Sequence, residues 1–203
     1  MILSIETTTG GGSLSILTDS LEIDGWSGQK EISKADNILE QISNLLSVNK
    51  IENKYVKLIC VAIGTGSSTG EKIGWAIGKG LAKAFRCPLQ SISILESLLL
   101  EIENEPDGEY VTAVPCGKNF ICRQRFTKMG ERFFPMSPVQ VCGADEFFTS
   151  AKSSSGCKKI VFATNSADHL RQLFKNTENI ILTENKYTLA NLIGRAADLS
   201  KRV

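Results

Sequence analysis

GTGSSTGEKIGWAIGKGLAKAF, residues 64–85, holds six of the seventeen glycines in this 203-residue chain. The stretch opens like a loop that binds phosphate and then continues as a helix. A glycine inside a helix costs about 1 kcal/mol relative to alanine, so Gly74, Gly78 and Gly80 require a structural or functional reason. The sequence therefore indicates either a nucleotide site or a helix that another backbone approaches closely.

Two stripes follow this helix when it is drawn as a helical wheel. One is an apolar face that we expect to pack on a sheet, made of Ile73, Ile77, Gly80, Leu81 and Ala84. Beside it, small residues recur at every fourth position, namely Gly70, Gly74, Gly78 and Ala82. Because small residues let backbones come close, and because Trp75 beside them can anchor a partner, we predict a contact surface here. The loop at 64–70 would then mainly shape the entry to the helix. Packing of the stripe on the chain's own first helix is the alternative.

The lysines of this stretch do not complete a Walker loop. The motif G-x-x-x-x-G-K-[ST] is not met, because Gly70 is followed by Glu71 and then by Lys72 and Ile73. A solvated helix surface accounts for Lys72 and for Lys79 further along.

Composition places the chain among ordinary globular proteins, with 42% hydrophobic and 22% charged residues. The net charge of +1 gives no strong overall field that would attract nucleic acid or an anionic membrane. The longest apolar runs are too short to span a bilayer, and the N-terminus lacks the basic segment of a signal peptide. We therefore expect a cytoplasmic protein that has no membrane partner.

Metal and redox chemistry find little support in the sequence. The six cysteines form no C-x-x-C pair and lie in apolar or strand-like surroundings, as reduced thiols do; they are Cys60, Cys87, Cys116, Cys122, Cys142 and Cys157. His169 is the only histidine, and it falls in a predicted surface helix. Zinc sites and Ser-His-Asp triads need clustered ligands or a placed histidine. We expect free thiols, no bound metal and no catalytic residue.

The order of predicted elements divides the chain into two α/β lobes. The first lobe contains, in order, three strands, a helix from Ser33, a strand, the glycine-bearing helix and a further strand. A ribonuclease H-like lobe has this order of elements, although many α/β folds share it. The segment ENEPDGEY, residues 103–110, is the linker candidate, which gives lobes of 1–105 and 106–203. Strands at 110–116 and 119–126 should pair in the second lobe, and a helix from Tyr187 should close the chain.

The helix from Ser33 shows one apolar face at helical spacing. Its members are Ala35, Ile38, Leu39, Ile42, Leu45 and Leu46.

Two signatures, read together, resemble the bacterial TsaB family, also called YeaZ. MILSIETTTGGGSLSIL, residues 1–17, is similar to that family's strand–turn–strand opening, in which an acidic residue sits at the place of Glu6. VAIGTGSSTGEKIGWAIGKGLAKAFRCPLQSISILESL, residues 61–98, resembles the family's G-x-G-S-x-T-G-x-[KR]-I-G loop and helix. YVTAVPCGKNFICRQRF, residues 110–126, sits where that family begins its second lobe.

The resemblance implies an actin-like (ribonuclease H-like) two-lobed α/β fold in a subunit that is not itself catalytic. It implies a TsaD-like catalytic subunit, which needs a paired-histidine metal site, and a TsaE-like ATPase as partners. Together they place threonylcarbamoyl on the adenosine next to the tRNA anticodon, so this chain would meet tRNA indirectly. The first helix and the glycine helix would contact the partner, or a second copy in a homodimer, through Ile38, Ile42, Gly70, Gly74, Trp75, Gly78 and Ala82.

The chain departs from the family pattern in ways that suggest a divergent member. The family loop usually has Pro and Phe where Thr65 and Ser68 stand, and the second lobe usually opens with Asp where Pro115 or Cys116 stands. The first helix lacks the histidine often found near its start, and the end at Val203 is early.

An actin-like ATP-binding enzyme is one alternative function. In such an enzyme the turn ETTTGGG would bind phosphate through backbone N–H groups and small hydroxyls, with Thr7, Thr8 and Gly10 as candidates and Glu6 as the acidic residue near the metal. Phosphoryl transfer also needs an acid or base on a second loop, where this chain offers only Lys118. We therefore expect that the chain requires no cofactor, with weak ATP or ADP binding at the subunit interface left open.

A tRNA-binding accessory module is the other alternative. CRQRFTKMGERFF, residues 122–134, interleaves aromatics with four basic side chains, as RNA-binding surfaces do. A hairpin with one apolar and one charged face has the same spacing. The basic residues are Arg123, Arg125, Lys128 and Arg132.

Overall fold

The computed structural model describes residues 1–28, 34–116, 119–153, 159–162 and 187–200. Contacts divide the chain into two compact units, Met1–Ser97 together with Tyr187–Val203, and Leu98–Lys186. The helix predicted at 167–174 and the strand predicted at 179–183 lie outside the described residues. So do three residues discussed above, Lys118, Cys157 and His169.

A five-stranded sheet forms the centre of the first unit. Its strands are β1 (Ile2–Glu6), β2 (Ser13–Thr18), β3 (Leu21–Ser27), β4 (Leu58–Ile63) and β5 (Leu89–Ser93). They are ordered β3-β2-β1-β4-β5; the first two pairings are antiparallel and the last two parallel. The continuous apolar run of β4 is explained by burial on both faces of the sheet. This is the strand order of a ribonuclease H-like lobe, as predicted.

Two helices cover one face of this sheet, α1 (Lys34–Val48) and α2 (Ser68–Phe85). The core beneath them joins Leu3 and Ile5 of β1 to Ile38 and Ile42 of α1. A 3₁₀ turn at Asn53–Tyr55 precedes β4, and the short α3 (Ile94–Ser97) follows β5. The helix predicted around 94–103 is therefore a four-residue α-helix that runs into a 3₁₀ segment, Leu98–Ile102, in the second unit.

The second unit repeats part of this topology. Its strands are β6 (Gly108–Pro115), β7 (Phe120–Met129), β8 (Arg132–Pro135), β9 (Gln140–Gly143) and β10 (Lys159–Phe162), and its described helix is α4 (Ala144–Ser153). The order is β10-β6-β7-β8, with β9 also paired to β7. The pairings of β8 with β7 and β7 with β6 are antiparallel, and that of β6 with β10 is parallel, as for β3-β2-β1-β4.

The predicted hairpin of this unit is confirmed as β6 and β7, whereas β8 and β9 were missed. Each of the missed strands has only four residues. Pro135 is the last residue of β8, and Pro138 lies between the two strands; prolines normally signal loops. The two strands form because β7 is ten residues long and both pair along it.

The last helix, α5 (Leu189–Ser200), packs on the sheet of the first unit, mainly on β1 and β2. The predicted boundary at residue 105 placed this helix in the second lobe and is corrected here. The reason is its apolar face, because Leu189, Leu192 and Ile193 are fully buried. A Cβ at Gly194 would collide with the Ser4 hydroxyl, so only glycine allows this close approach of the helix to the sheet.

The glycine stripe of α2 is internal packing. Gly70, Gly74 and Gly78 are all buried. A Cβ at Gly70 would collide with the backbone carbonyl of Thr7, and one at Gly74 with the Thr7 hydroxyl. At Gly78 it would lie 2.5 Å from Cγ1 of Val61. The close approach predicted from the glycines is real, but the approaching surfaces are the chain's own β1–β2 turn and sheet, so the predicted contact surface is wrong at these three positions.

The helix is rotated relative to the predicted wheel. Ile77 and Leu81 pack against the core as expected. Gly80 and Ala84 are exposed, and a Cβ at Gly80 would meet no atom within 4 Å. The missing side chains on the glycine stripe let that stripe, rather than Gly80, face the sheet.

Two alanine substitutions on α2 should have opposite effects on stability. Gly70→Ala is expected to lower the free energy of unfolding by about 1–3 kcal/mol, because the new methyl group must displace turn backbone. Gly80→Ala is expected to raise it by up to about 1 kcal/mol, because helix propensity improves and nothing is displaced. Urea denaturation followed by circular dichroism measures both. Equal effects would contradict the packing described for the stripe.

Candidate functional site

Glu6, at the carboxyl end of β1, is completely buried within the turn that follows it. Its Oε1 accepts hydrogen bonds from the backbone N–H groups of Thr8 at 2.6 Å and Thr9 at 2.7 Å, and from the Thr8 hydroxyl at 2.9 Å. Its Oε2 accepts from the hydroxyls of Thr9 at 2.8 Å and Ser13 at 3.4 Å. The carboxylate thus receives five hydrogen bonds from its own hairpin.

Glycines allow the turn to fold inward around this carboxylate. Gly11 and Gly12 have φ of 80° and 73°, in the left-handed region that side chains rarely adopt. A Cβ at Gly12 would lie 2.9 Å from the backbone oxygen of Glu6. The small residues of the turn therefore serve its geometry.

The turn is also bound to the entry of α2. The Thr7 hydroxyl donates to the carbonyl of Gly70 at 2.7 Å, and the Ser67 N–H donates to the carbonyl of Thr8 at 2.8 Å. A Cβ at Gly66 would collide with that same Thr8 carbonyl. The two sequence signatures, residues 1–17 and 61–98, therefore meet at this point.

The glycine loop serves the start of the helix, as the sequence predicts. Ser67 is the N-cap, and its hydroxyl accepts from the N–H of Gly70 at 3.1 Å. Glu71 accepts from the N–H of Gly64 at 3.1 Å. Gly64 and Gly66 have φ of 93° and 92°, which again favours glycine.

These residues do not fit a nucleotide phosphate or its metal ion. Glu6, Thr7 and Thr8 are buried, and only Gly10 at the tip of the turn is exposed. The N–H and hydroxyl groups that would bind phosphate already donate to Glu6. Within the described ranges, no group of three or more His, Cys, Asp or Glu side chains is placed to hold a metal.

The basic residues at 122–134 do not line one face. Arg123 and Arg125 share a face of β7, whereas Lys128 lies on the other, because successive strand residues point to opposite faces. Arg125 forms an ion pair with Glu109 at 2.8 Å. Lys128 is buried and donates to a backbone carbonyl at 2.6 Å, while Arg132 is exposed on β8. The predicted RNA-binding stripe is therefore divided.

The predicted partner-contact residues also separate into buried and exposed groups. Ile38 and Ile42 are buried, as are the three glycines, so none of these five residues lies at the surface of the chain. Ala82 is half-buried against the same core. Trp75 is 37% exposed, and Leu39, predicted on the packing face of α1, is 54% exposed.

A cavity of about 230 Å³ lies beside Trp75 in the first unit. Its lining comes from three elements, β4, α2 and β5, and comprises Ile63, Glu71, Lys72, Trp75 and Ser91. The Lys79 ammonium lies 5.3 Å from the centre of the Trp75 ring, within cation–π range. Sequence reasoning missed this cavity because its walls are distant in the chain; Trp75 between two lysines was the available signal.

No helix in the described part of the chain is long and apolar enough to cross a membrane.

Residues 32–200 match the model of one protein family, described as TsaD: tRNA N6-adenosine threonylcarbamoyltransferase. Two solved structures from Pseudomonas aeruginosa resemble nearly the whole chain. One, described as an uncharacterized protein with similarity to peptidase YeaZ, has a TM-score of 0.70 and 15% identity, over 99% of this chain and 92% of that one. The other, YeaZ, has a TM-score of 0.66 and 14% identity over the same shares. No curated protein sequence matches the chain.

These likenesses concern the fold. The chain has the fold of YeaZ, and the predicted actin-like α/β fold is confirmed.

The five described cysteines are free thiols, and Cys157 lies outside the described residues. Burial, and secondarily the neighbouring Cys122 thiol, raises the pKa of Cys116 to about 12. Burial also raises the pKa of Cys87 and of Cys142. A raised pKa keeps a thiol protonated, and the protonated form is a poor nucleophile.

Cys116 should therefore react slowly with alkylating reagents in the folded protein. At pH 8 we expect modification by iodoacetamide to be at least about 100-fold slower than in a short unstructured peptide, because the thiolate fraction falls with each unit by which the pKa is raised. Peptide mass spectrometry after timed labelling measures the rate. Labelling in denaturant is the control and should be fast; equally fast labelling of the native chain would contradict the prediction.

Proposed function

The chain belongs to the TsaD family, tRNA N6-adenosine threonylcarbamoyltransferase, and on this premise we propose that it is a non-catalytic subunit supporting a TsaD-like enzyme. In this role it binds the catalytic subunit and contributes to N6-threonylcarbamoyladenosine modification of tRNA. A TsaE-like ATPase is the further partner. The chain contacts tRNA only indirectly, through the assembly, and it works in the cytoplasm.

The arrangement around Glu6 is the observation that supports the non-catalytic role. A catalytic subunit would need phosphate donors and metal ligands at the mouth of the first turn. Here Glu6 is fully buried and takes five hydrogen bonds from the turn itself. The sequence has a single histidine, so a paired-histidine metal site is beyond this chain. The subunit therefore requires no cofactor of its own.

The outer face of α2 is the surface we propose for the partner. Small residues recur there at every fourth position and are exposed: Ala76, Gly80 and Ala84. They form a second stripe, outside the buried one, along which another helix could approach closely. Trp75 stands next to this stripe and borders the cavity, as an aromatic anchor of an interface does. Leu39 adds an exposed apolar side chain on α1. A second copy of the chain could use the same surface to form a homodimer.

Ala76→Arg and Trp75→Ala should abolish association with the catalytic subunit, because one places a charge on the outer stripe and the other removes the anchor. Melting of the isolated chain should change little in Ala76→Arg, since Ala76 is exposed. Trp75→Ala should lower the Tm moderately without unfolding the chain, because only 37% of Trp75 is exposed. Co-elution in size-exclusion chromatography, with light scattering for the homodimer, measures the effect.

Leu21→Arg is the matched control for this experiment. Leu21 is 72% exposed on β3, at the far edge of the sheet. Association that survives both α2 variants, or that is lost equally in the control, would show that the partner binds elsewhere.

The purified chain alone should not hydrolyse ATP above background, because Glu6 has no free position for a metal ion and the phosphate donors are engaged. Phosphate release at saturating ATP and magnesium measures this. Steady turnover that co-purifies with the wild-type chain and is lost in Glu6→Gln would instead support the ATP-binding enzyme.

A further inference from the structure

The donors around Glu6 have the chemistry of an anion-binding turn. Two consecutive backbone N–H groups, of Thr8 and Thr9, point at one carboxylate oxygen. Three hydroxyls, of Thr8, Thr9 and Ser13, complete the set. Successive N–H groups in a tight turn, joined by small hydroxyl side chains, form the concavity in which proteins bind phosphate and other oxyanions.

We propose that Glu6 is a built-in anion that fills this oxyanion site, so that the turn is closed to phosphate in the wild-type chain and becomes a small-carboxylate site when the Glu6 side chain is removed. The carboxylate takes the place of the external anion, and all five donors are satisfied within the chain.

The surroundings prevent the carboxylate from being exchanged for an external phosphate. Glu6 has no exposed surface. On the side of α2 the turn is held by the bonds from Thr7 to Gly70 and from Ser67 to Thr8. The absence of a Cβ at Gly70 lets the helix backbone come directly against the Thr7 carbonyl, so α2 covers the turn on this side.

The same carboxylate organises the start of α5. The Ser13 hydroxyl donates to Glu6 at 3.4 Å and accepts a hydrogen bond from the N–H of Ala190 at 3.1 Å. Ala190 is 177 residues away from Ser13 in the sequence. A negative charge near a helix N-terminus is favourable, and buried donors left without an acceptor are costly. Removing the carboxylate should therefore weaken the whole first unit, and a suitable anion should restore it.

Glu6→Ala tests this with acetate, because the variant lacks the Cγ and carboxyl atoms that an acetate ion supplies. We expect a Tm roughly 5–10 °C below that of the wild type in sodium chloride. Sodium acetate at the same ionic strength should raise the Tm of Glu6→Ala saturably. The wild-type Tm should show only the gradual, non-saturating rise that acetate and inorganic phosphate give by exclusion from a protein surface. Acetamide, which has the same shape without the charge, should not restore it.

Glu6→Gln is the matched variant, since it fills the space but turns an amide NH₂ towards hydroxyl or N–H donors. Its Tm should also fall, and acetate should not raise it. If Glu6→Ala folds only in the presence of an anion, recovery of native circular dichroism after refolding in acetate or in chloride replaces Tm as the measurement.

An acetate effect on Glu6→Ala no larger than that on the wild type, or saturable stabilisation of the wild type by phosphate, would overturn the proposal. The proposal shares with the proposed function the observation that Glu6 engages the turn donors, but the two fail separately. Loss of the acetate effect leaves partner association untouched, and loss of partner association leaves the acetate effect untouched.

Discussion

The buried carboxylate of Glu6 is the interaction on which the first unit depends. It gathers the β1–β2 turn around itself through five hydrogen bonds and reaches the start of α5 through Ser13. A buried charge is tolerated only when it is fully hydrogen-bonded, and a network of this kind fixes the geometry of every segment that contributes to it. This β1–β2 turn also holds the start of α2, through the hydrogen bonds of the Thr7 hydroxyl and the Thr8 carbonyl.

The glycines of α2 follow from that arrangement. Because the turn projects from the end of the sheet, a helix lying across both must come close enough to touch backbone as well as side chains. Gly70 and Gly74 make room for Thr7, and Gly78 makes room for Val61. Their cost in helix propensity is offset by the hydrogen bonds and packing that close approach allows. The buried glycine stripe thereby orients α2 and leaves Trp75 and Ala76 on the exposed side of the helix.

A closed turn and an exposed helix face together support the proposal that the chain acts through association. The family includes tRNA N6-adenosine threonylcarbamoyltransferase, yet in this chain the donors that would bind a nucleotide are engaged by Glu6. The first unit also presents a partly exposed tryptophan beside a cavity. Binding energy at interfaces is concentrated in such anchors, and small neighbouring residues allow backbones to approach.

The sequence by itself determined the succession of strands and helices in the first unit, the β6–β7 hairpin, the loop that caps α2 and the need for close backbone approach at the glycines. These features rest on local periodicity, turn chemistry and a long signature. Tertiary structure alone decided which side of α2 faces the sheet, because a wheel cannot tell whether a stripe of small residues meets a partner or the chain's own turn. It also decided that α5 joins the first unit, since an apolar helix face does not specify which sheet it covers. The role of Glu6 was hidden for the same reason: a lone carboxylate after a strand looks like a metal ligand until the five donors around it are located in space.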